Sequence, residues 1–334
     1  MKKSLIALAV LAASGAAMAQ STVTLYGVID AYLGSAKTDT GLVNGSVTQT
    51  VLNGGNFNGN RWGLKGTEDL GGGLKANFQL ENGFNIDNGS LGQGGLMFGR
   101  QAWVGLSGGF GAVKVGRVYT AYDDVNGQFN GAFDSGFSPS GNVMKSVGYT
   151  SRANNGLRYE TPAFGGLTAA LSYGLGENAA PGVDAGSNTA LNVAFASGPI
   201  SASLGYQVEK ATGNAESVKF TRLGAGYDLG MAFLKASYGK VENMAAVSGA
   251  DATEYQIGVD VPVGAALTLS GSYAKSDDNA KAGDASRKGF GLAAKYTLSK
   301  RTFVYAGYER DTTEKANTAD LTNSLFGVGV QHRF

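Results

Sequence analysis

The chain has 334 residues, with 27 Lys and Arg against 26 Asp and Glu and a single His. So even a balance gives no global field to gather nucleic acid or polyanions, and any electrostatic function must come from local placement. With no Cys, a disulfide framework, thiolate catalysis and Cys-based metal sites are excluded, while 53 Gly against 5 Pro and 10% aromatics place the glycine in turns and close-packed strands rather than in disorder.

Residues 1–19 carry the marks of an export leader. Lys2 and Lys3 precede the apolar stretch Leu5–Ala13, and Ala17-Met18-Ala19 forms a small-residue cleavage site before Gln20. That stretch is far short of the ~20 residues a helical span needs. The expected mature chain is 20–334, in which loss of Lys2 and Lys3 turns the 27 basic residues into 25.

Beyond the leader, polar and apolar residues alternate in sixteen strand-length segments. They begin with Thr22–Gly34, Asn60–Asp69 and Gly73–Phe84, the last with Leu74, Ala76, Phe78 and Leu80 opposing Lys75, Asn77, Gln79 and Glu81. Leu96–Gly108, Phe110–Tyr119, Asn155–Thr161, Leu167–Gly176, Asn188–Ser197 and Ile200–Glu209 follow. The rest are Val218–Asp228, Met231–Glu242, Thr253–Val261, Ala265–Lys275, Lys288–Ser299, Thr302–Arg310 and Leu321–Phe334. In the last, Phe326, Val328, Val330, His332 and Phe334 share one face, and Leu325, Gly327, Gly329, Gln331 and Arg333 the other. Such a strand suits a wall between lipid and water.

Seven short turns alternate with eight longer polar connections, among them Ser35–Gly59, Val118–Asn154 and Lys210–Ser217. That is the count for sixteen up-and-down strands with both termini on the short-turn side, which in bacterial outer-membrane barrels is periplasmic. All five prolines fall in connections on this map. A sheet in lipid tolerates no free edge, so the first strand must pair with the last. Sixteen strands enclose an aqueous lumen. The fold expected is therefore all-β, a transmembrane 16-stranded antiparallel up-and-down β-barrel, and the expected function a pore.

Ser21–Asp30 (STVTLYGVID), Arg61–Glu68 (RWGLKGTE), Phe98–Leu106 (FGRQAWVGL), Pro162–Gly166 (PAFGG) and the final Arg333-Phe334 together resemble the trimeric Gram-negative general porins, closest to their β-proteobacterial branch. The likeness runs in order through 20–334. It implies a homotrimer, a third loop folded inward as a constriction, and Phe334 as an assembly signal. It also implies trimer contacts at the first and last strands, where Gly27, Ala31, Gly34, Gly327 and Gly329 permit close approach.

Ionisable residues at membrane depth should face the lumen. Alternation puts Arg61, Lys65 and Arg158 on wet faces. Arg100 shares the parity of Ala102, Val104 and Leu106, yet the cost of a lipid-exposed arginine and the family likeness both turn it inward. Asp123, Asp124 and Asp134 lie in the long third loop. A transverse field between Arg61, Lys65, Arg100 and Arg158 and these acids would orient solutes and set ion preference, with a lean to anions. The aromatics near strand ends, Tyr26, Trp62, Tyr173, Tyr206, Tyr238 and Tyr296 among them, read as interfacial girdles, and no lumenal aromatic file is evident.

Catalysis is not expected: the one histidine, His332, has lipid-facing parity and lies by the chain end. Neither cofactor nor metal is implied. Expected partners are outer-membrane lipid and lipopolysaccharide, further copies of the chain, and small hydrophilic solutes and ions, with no nucleic acid. Rival readings are a structural or adhesive barrel and a solute-specific facilitator.

Overall fold

The computed structural model describes residues 22–177, 180–213 and 215–334, so the leader lies outside the described residues. Seventeen strands form one antiparallel sheet. They are β1 Thr22–Asp39, β2 Ser46–Gly54, β3 Arg61–Gly71, β4 Leu74–Gly83, β5 Gln101–Gly108, β6 Gly111–Tyr119, β7 Arg152–Glu160, β8 Leu167–Leu175 and β9 Ser187–Ser197. The series continues with β10 Ile200–Lys210, β11 Val218–Asp228, β12 Phe233–Glu242, β13 Ala252–Val263, β14 Leu267–Asp278, β15 Ala285–Thr297, β16 Thr302–Lys315 and β17 Leu321–Arg333.

Seventeen strands occupy sixteen positions around the wall. Along one edge of β1, Thr22–Val28 pairs with β3 and Ala31–Asp39 with β2, so β2 and β3 share one position. The expected loop Ser35–Gly59 is thus mostly strand. Thr and Val over 46–54 pair readily as a strand, leaving 40–45 as the turn between β1 and β2 and 55–60 as the connection to β3. Closure runs from Val28↔Arg333 to Asp39↔Thr322 between β1 and β17. Phe334 adds the last rung, its N–H donating to the Gly27 carbonyl and its carbonyl accepting from Gly27 N–H, both at 3.1 Å. No free edge remains at the seam, as lipid demands. Among the described residues no helix is long and apolar enough to cross a membrane.

Exposed Val23, Leu25, Ile29 and Leu33 alternate in β1 with fully buried Asp30, which separates a lipid face from a lumenal one. Pro262, expected in a turn, pairs with Thr268 inside β13. The β12 ladder has already ended at Asp260, so on that side no partner awaits the missing N–H. Gly34, Gly327 and Gly329 do not open the outer surface for trimer packing. A Cβ on each would strike Tyr32 or Tyr305, inside the barrel.

Residues 120–151, the third loop, fold inward and lie along the inner wall from β8 to β16. A loop buried there must satisfy its backbone groups, and the wall's polar residues supply the partners. Ala121 N–H donates to Ser172 Oγ at 2.8 Å, Ser146 N–H to Glu254 Oε1 at 2.9 Å, and Gln256 Nε2 donates to the Phe129 carbonyl at 3.1 Å. Gln207, Arg222, Gln256, Glu254 and Glu309 are accordingly almost wholly buried. Glycines make the room. A Cβ at Gly224 would stand 2.0 Å from Phe129 Cδ2, and one at Gly291 1.8 Å from the Phe137 carbonyl oxygen.

Candidate functional site: the charged lumen

Alternation along β1 and β4 sends Tyr26, Gln79 and Glu81 into the lumen, where they join a ladder of contacts. Gln79 Nε2 donates to Tyr26 Oη at 2.5 Å, and Tyr26 donates to Glu81 Oε2 at 2.8 Å. Arg100 Nε donates to Glu81 Oε1 at 2.8 Å, and its Nη2 to Tyr119 Oη at 2.8 Å. Arg152 Nη2 also donates to Tyr119 Oη, its guanidinium stacked 4.4 Å from that ring's centroid. Arg100 escapes its strand parity because regular pairing begins only at Gln101; a bend at Arg100 frees the side chain to turn to Glu81.

Arg61 opens β3 and donates through Nε to the Gly59 carbonyl at 3.1 Å. Arg100 Nη1 closes on the same glycine, so the two guanidiniums converge there. Lys65, two pleat repeats along the same face of β3, holds its Nζ 5.2 Å from the Tyr26 ring centroid. Among the described residues neither Arg61 nor Lys65 has an acid within ion-pair distance.

Arg158 is held differently. Its Nη2 meets Asp124 Oδ2 at 2.6 Å and its Nε meets Glu160 Oε1 at 2.8 Å, while Nη1 donates to the Thr120 carbonyl at 2.9 Å. Lys114 bonds Glu160 at 2.7 Å. Arg158 and Asp124 therefore do not face one another across water; they are joined, and the pair moors the root of the third loop to β7. Around it lies a cavity of about 210 Å³ lined by Gln101, Trp103, Tyr119, Asp123 and these charges.

Asp123 lines the same cavity, whereas Asp134 is set apart from the cluster. Asp123 accepts from the Tyr149 hydroxyl. Burial pushes its carboxyl up to about 6, against the opposing pull of Tyr149 and Arg152. Asp134 sits at the loop's far end and accepts from Asn130 Nδ2 at 2.6 Å. As pH falls through about 6, Asp123 takes up a proton and the lumen loses one negative charge. The zero-current potential in a KCl gradient should then move toward anions, and Asp123→Asn should abolish that step.

Two elements were not legible as functional. Residues 55–60, between β2 and β3, turn inward and clasp the loop tip: Gly136 N–H donates to the Asn56 carbonyl at 2.7 Å, and Asp30 accepts from Asn58 N–H, Tyr305 Oη and Gln331 Nε2. Secondly, Tyr32, Phe57, Phe133, Phe303 and Tyr305 form a lumenal aromatic cluster. Tyr26, expected in a girdle, is lumenal too, whereas Tyr173, Tyr206, Tyr238 and Tyr296 are exposed outside. The signal for Tyr26 was its shared parity with Asp30; for residues 55–60 only the density of Asn and Gly hinted at a turn.

A family model described as Gram-negative porin matches residues 5–316. The chain belongs to that family. It is 37% identical to outer membrane porin protein 32 of Delftia acidovorans, across 99% of this chain and 95% of that one. An outer membrane porin protein of Bordetella pertussis is 33% identical over 100% of both chains. Among solved structures, an anion-selective porin from Comamonas acidovorans superposes with a TM-score of 0.75 at 28% identity, covering 94% of this chain and 100% of the other. The trimer form of OmpT from Vibrio cholerae, at 16% identity and a TM-score of 0.66 over 94% of this chain and 99% of its own, shares the fold. This porin is an outer-membrane β-barrel of the general type, and its lumen is the channel.

Proposed function

We propose that the porin works as a homotrimer passing small hydrophilic solutes and ions passively, and that its lumenal charges favour anions. The observation that carries the preference is the unpaired state of Arg61 and Lys65 beside an Arg100 that shares one carboxylate. Of the loop acids, Asp124 is bound to Arg158, and Asp123, its carboxyl pushed up to about 6 by burial, gives up its charge as pH falls through that value. Likeness to an anion-selective porin at 28% identity supports the same sign. The test is the zero-current potential of single insertions in a salt gradient. A cation-selective sign would refute the preference, and closure in anything other than three equal steps would refute the trimer.

No catalytic step is assigned. His332 lies on the outer face with Nδ1 2.8 Å from Thr302 Oγ1, away from every lumenal carboxylate described above. We assign residues 1–19 to a cleaved leader, so the purified protein should begin at Gln20 by mass, and we assign the exposed apolar belt to outer-membrane lipid, with lipopolysaccharide around its outer rim.

Phe334 is assigned the assembly signal. Its backbone completes the seam, and its ring covers Gly27 so closely that a Cβ there would stand 2.3 Å from Phe334 Cζ. Deletion of Phe334 should sharply lower the yield of heat-modifiable trimer; an undiminished yield would remove the role.

A further inference from the structure

Four elements bring aromatic rings and one lysine to the same stretch of inner wall. The Phe57 centroid lies 5.2 Å from that of Phe133 at the loop tip, and 4.9 Å and 5.1 Å from those of Phe303 and Tyr305 in β16. Phe57 and Tyr305 are buried, whereas Phe133 and Phe303 keep part of their surface open. Over those two open rings sits Lys295 of β15, its Nζ 5.1 Å from the Phe133 centroid and 5.9 Å from that of Phe303. Among the described residues no carboxylate lies within ion-pair distance of this ammonium.

The backbone gives a second, independent observation. Ala132, Phe133 and Asp134 all adopt positive φ, at 47°, 61° and 53°. Consecutive left-handed residues other than glycine are strained, and such strain persists where surrounding structure enforces it, typically at ligand clamps. Here Ala132 is wholly buried beneath the turn, and the Gly136–Asn56 bond holds its far side. The strained turn is what presents Phe133 to Lys295. Phe303 follows directly on the short turn after β15, so the patch runs from the loop tip toward the short-turn end of the lumen.

We propose that Phe133, Phe303 and Lys295 form a resting site for aromatic carboxylates, the planar ring lying against the two phenyl groups and the carboxylate on Lys295 Nζ. A cation already held over rings keeps its charge available, and a bound aryl group extends the same stack. The site presupposes the channel reading above and adds a solute class to it.

The test is single-channel recording in KCl with added benzoate. Benzoate should interrupt the current in resolved blocks that acetate, lacking the ring, and benzyl alcohol, lacking the charge, do not produce. Lys295→Gln and Phe303→Leu should each shorten the blocks about tenfold, with KCl conductance retained as the sign of an intact barrel, and Lys295→Arg should restore them. Blocks equally frequent with acetate, or benzoate blocks unchanged in both variants, would overturn the site. A wild-type channel that conducts KCl normally and ignores benzoate overturns the site alone; one that carries no KCl current overturns the channel reading with it.

Discussion

Replacing Arg61 and Arg100 together with glutamine should move the zero-current potential strongly toward cations. A unit charge about 6 Å from a passing ion in water is worth about 0.7 kcal/mol, or about threefold in local concentration, with opposite sign for anion and cation. Loss of Arg61 alone, which has no acid partner among the described residues, should therefore change the anion-to-cation ratio about tenfold. Arg100 acts differently. Its removal leaves Glu81, buried with only the Tyr26 hydroxyl still bonded to it, as an uncompensated carboxylate. Breaking such a buried pair from one side costs about 3–5 kcal/mol, so Arg100→Gln should also destabilise the barrel. Adding Glu81→Gln should recover stability and reverse part of the selectivity change. Zero-current potentials of the single, double and triple variants check this directly, and an unaltered potential in Arg61→Gln would remove that residue from the constriction.

Gly291→Ala should loosen the third loop and raise single-channel conductance. The added methyl would stand 1.8 Å from the Phe137 carbonyl oxygen and 3.0 Å from its carbonyl carbon, and both partners are backbone. Overpacking of this kind costs about 1–3 kcal/mol. The β15 backbone is paired on both sides, to β14 and β16, so the loop is the part that yields. Phe137 then leaves its seat against Tyr305, where their centroids are 6.2 Å apart, and the tip withdraws from the lumen. Larger and noisier open levels are the expected record, together with passage of solutes that the native channel excludes. A conductance identical to wild type would mean that the wall moves and the loop does not.

How much of this was legible beforehand differs from element to element. Alternation assigns the faces of Leu74 to Glu81 in β4, because a strand's period of two is a local property. The same rule misled at Arg100, where a bend just before β5 breaks the alternation, and only the cost of a charge in lipid pointed the right way. β2 was hidden because Thr, Gln and Asn on both faces give no apolar stripe above the membrane. The glycines at 224, 291 and 307 look like any strand glycines in sequence, yet they are the track into which Phe129 and Phe137 fit.

The residues alone specify the barrel: the number of wall positions, the closure of first strand on last and, Arg100 apart, which charges face water. Each follows from short-range periodicity combined with the demand that lipid leave no backbone group unpaired. Which of those charges remain free is settled by packing between distant segments. Arg158 and Asp124 are 34 residues apart and cancel by direct contact, while Arg61 stays unpaired four strands away. The meeting of Phe57, Phe133, Lys295 and Phe303 likewise depends on where an inward-folded loop comes to rest, a long-range packing outcome that no local pattern in the chain encodes.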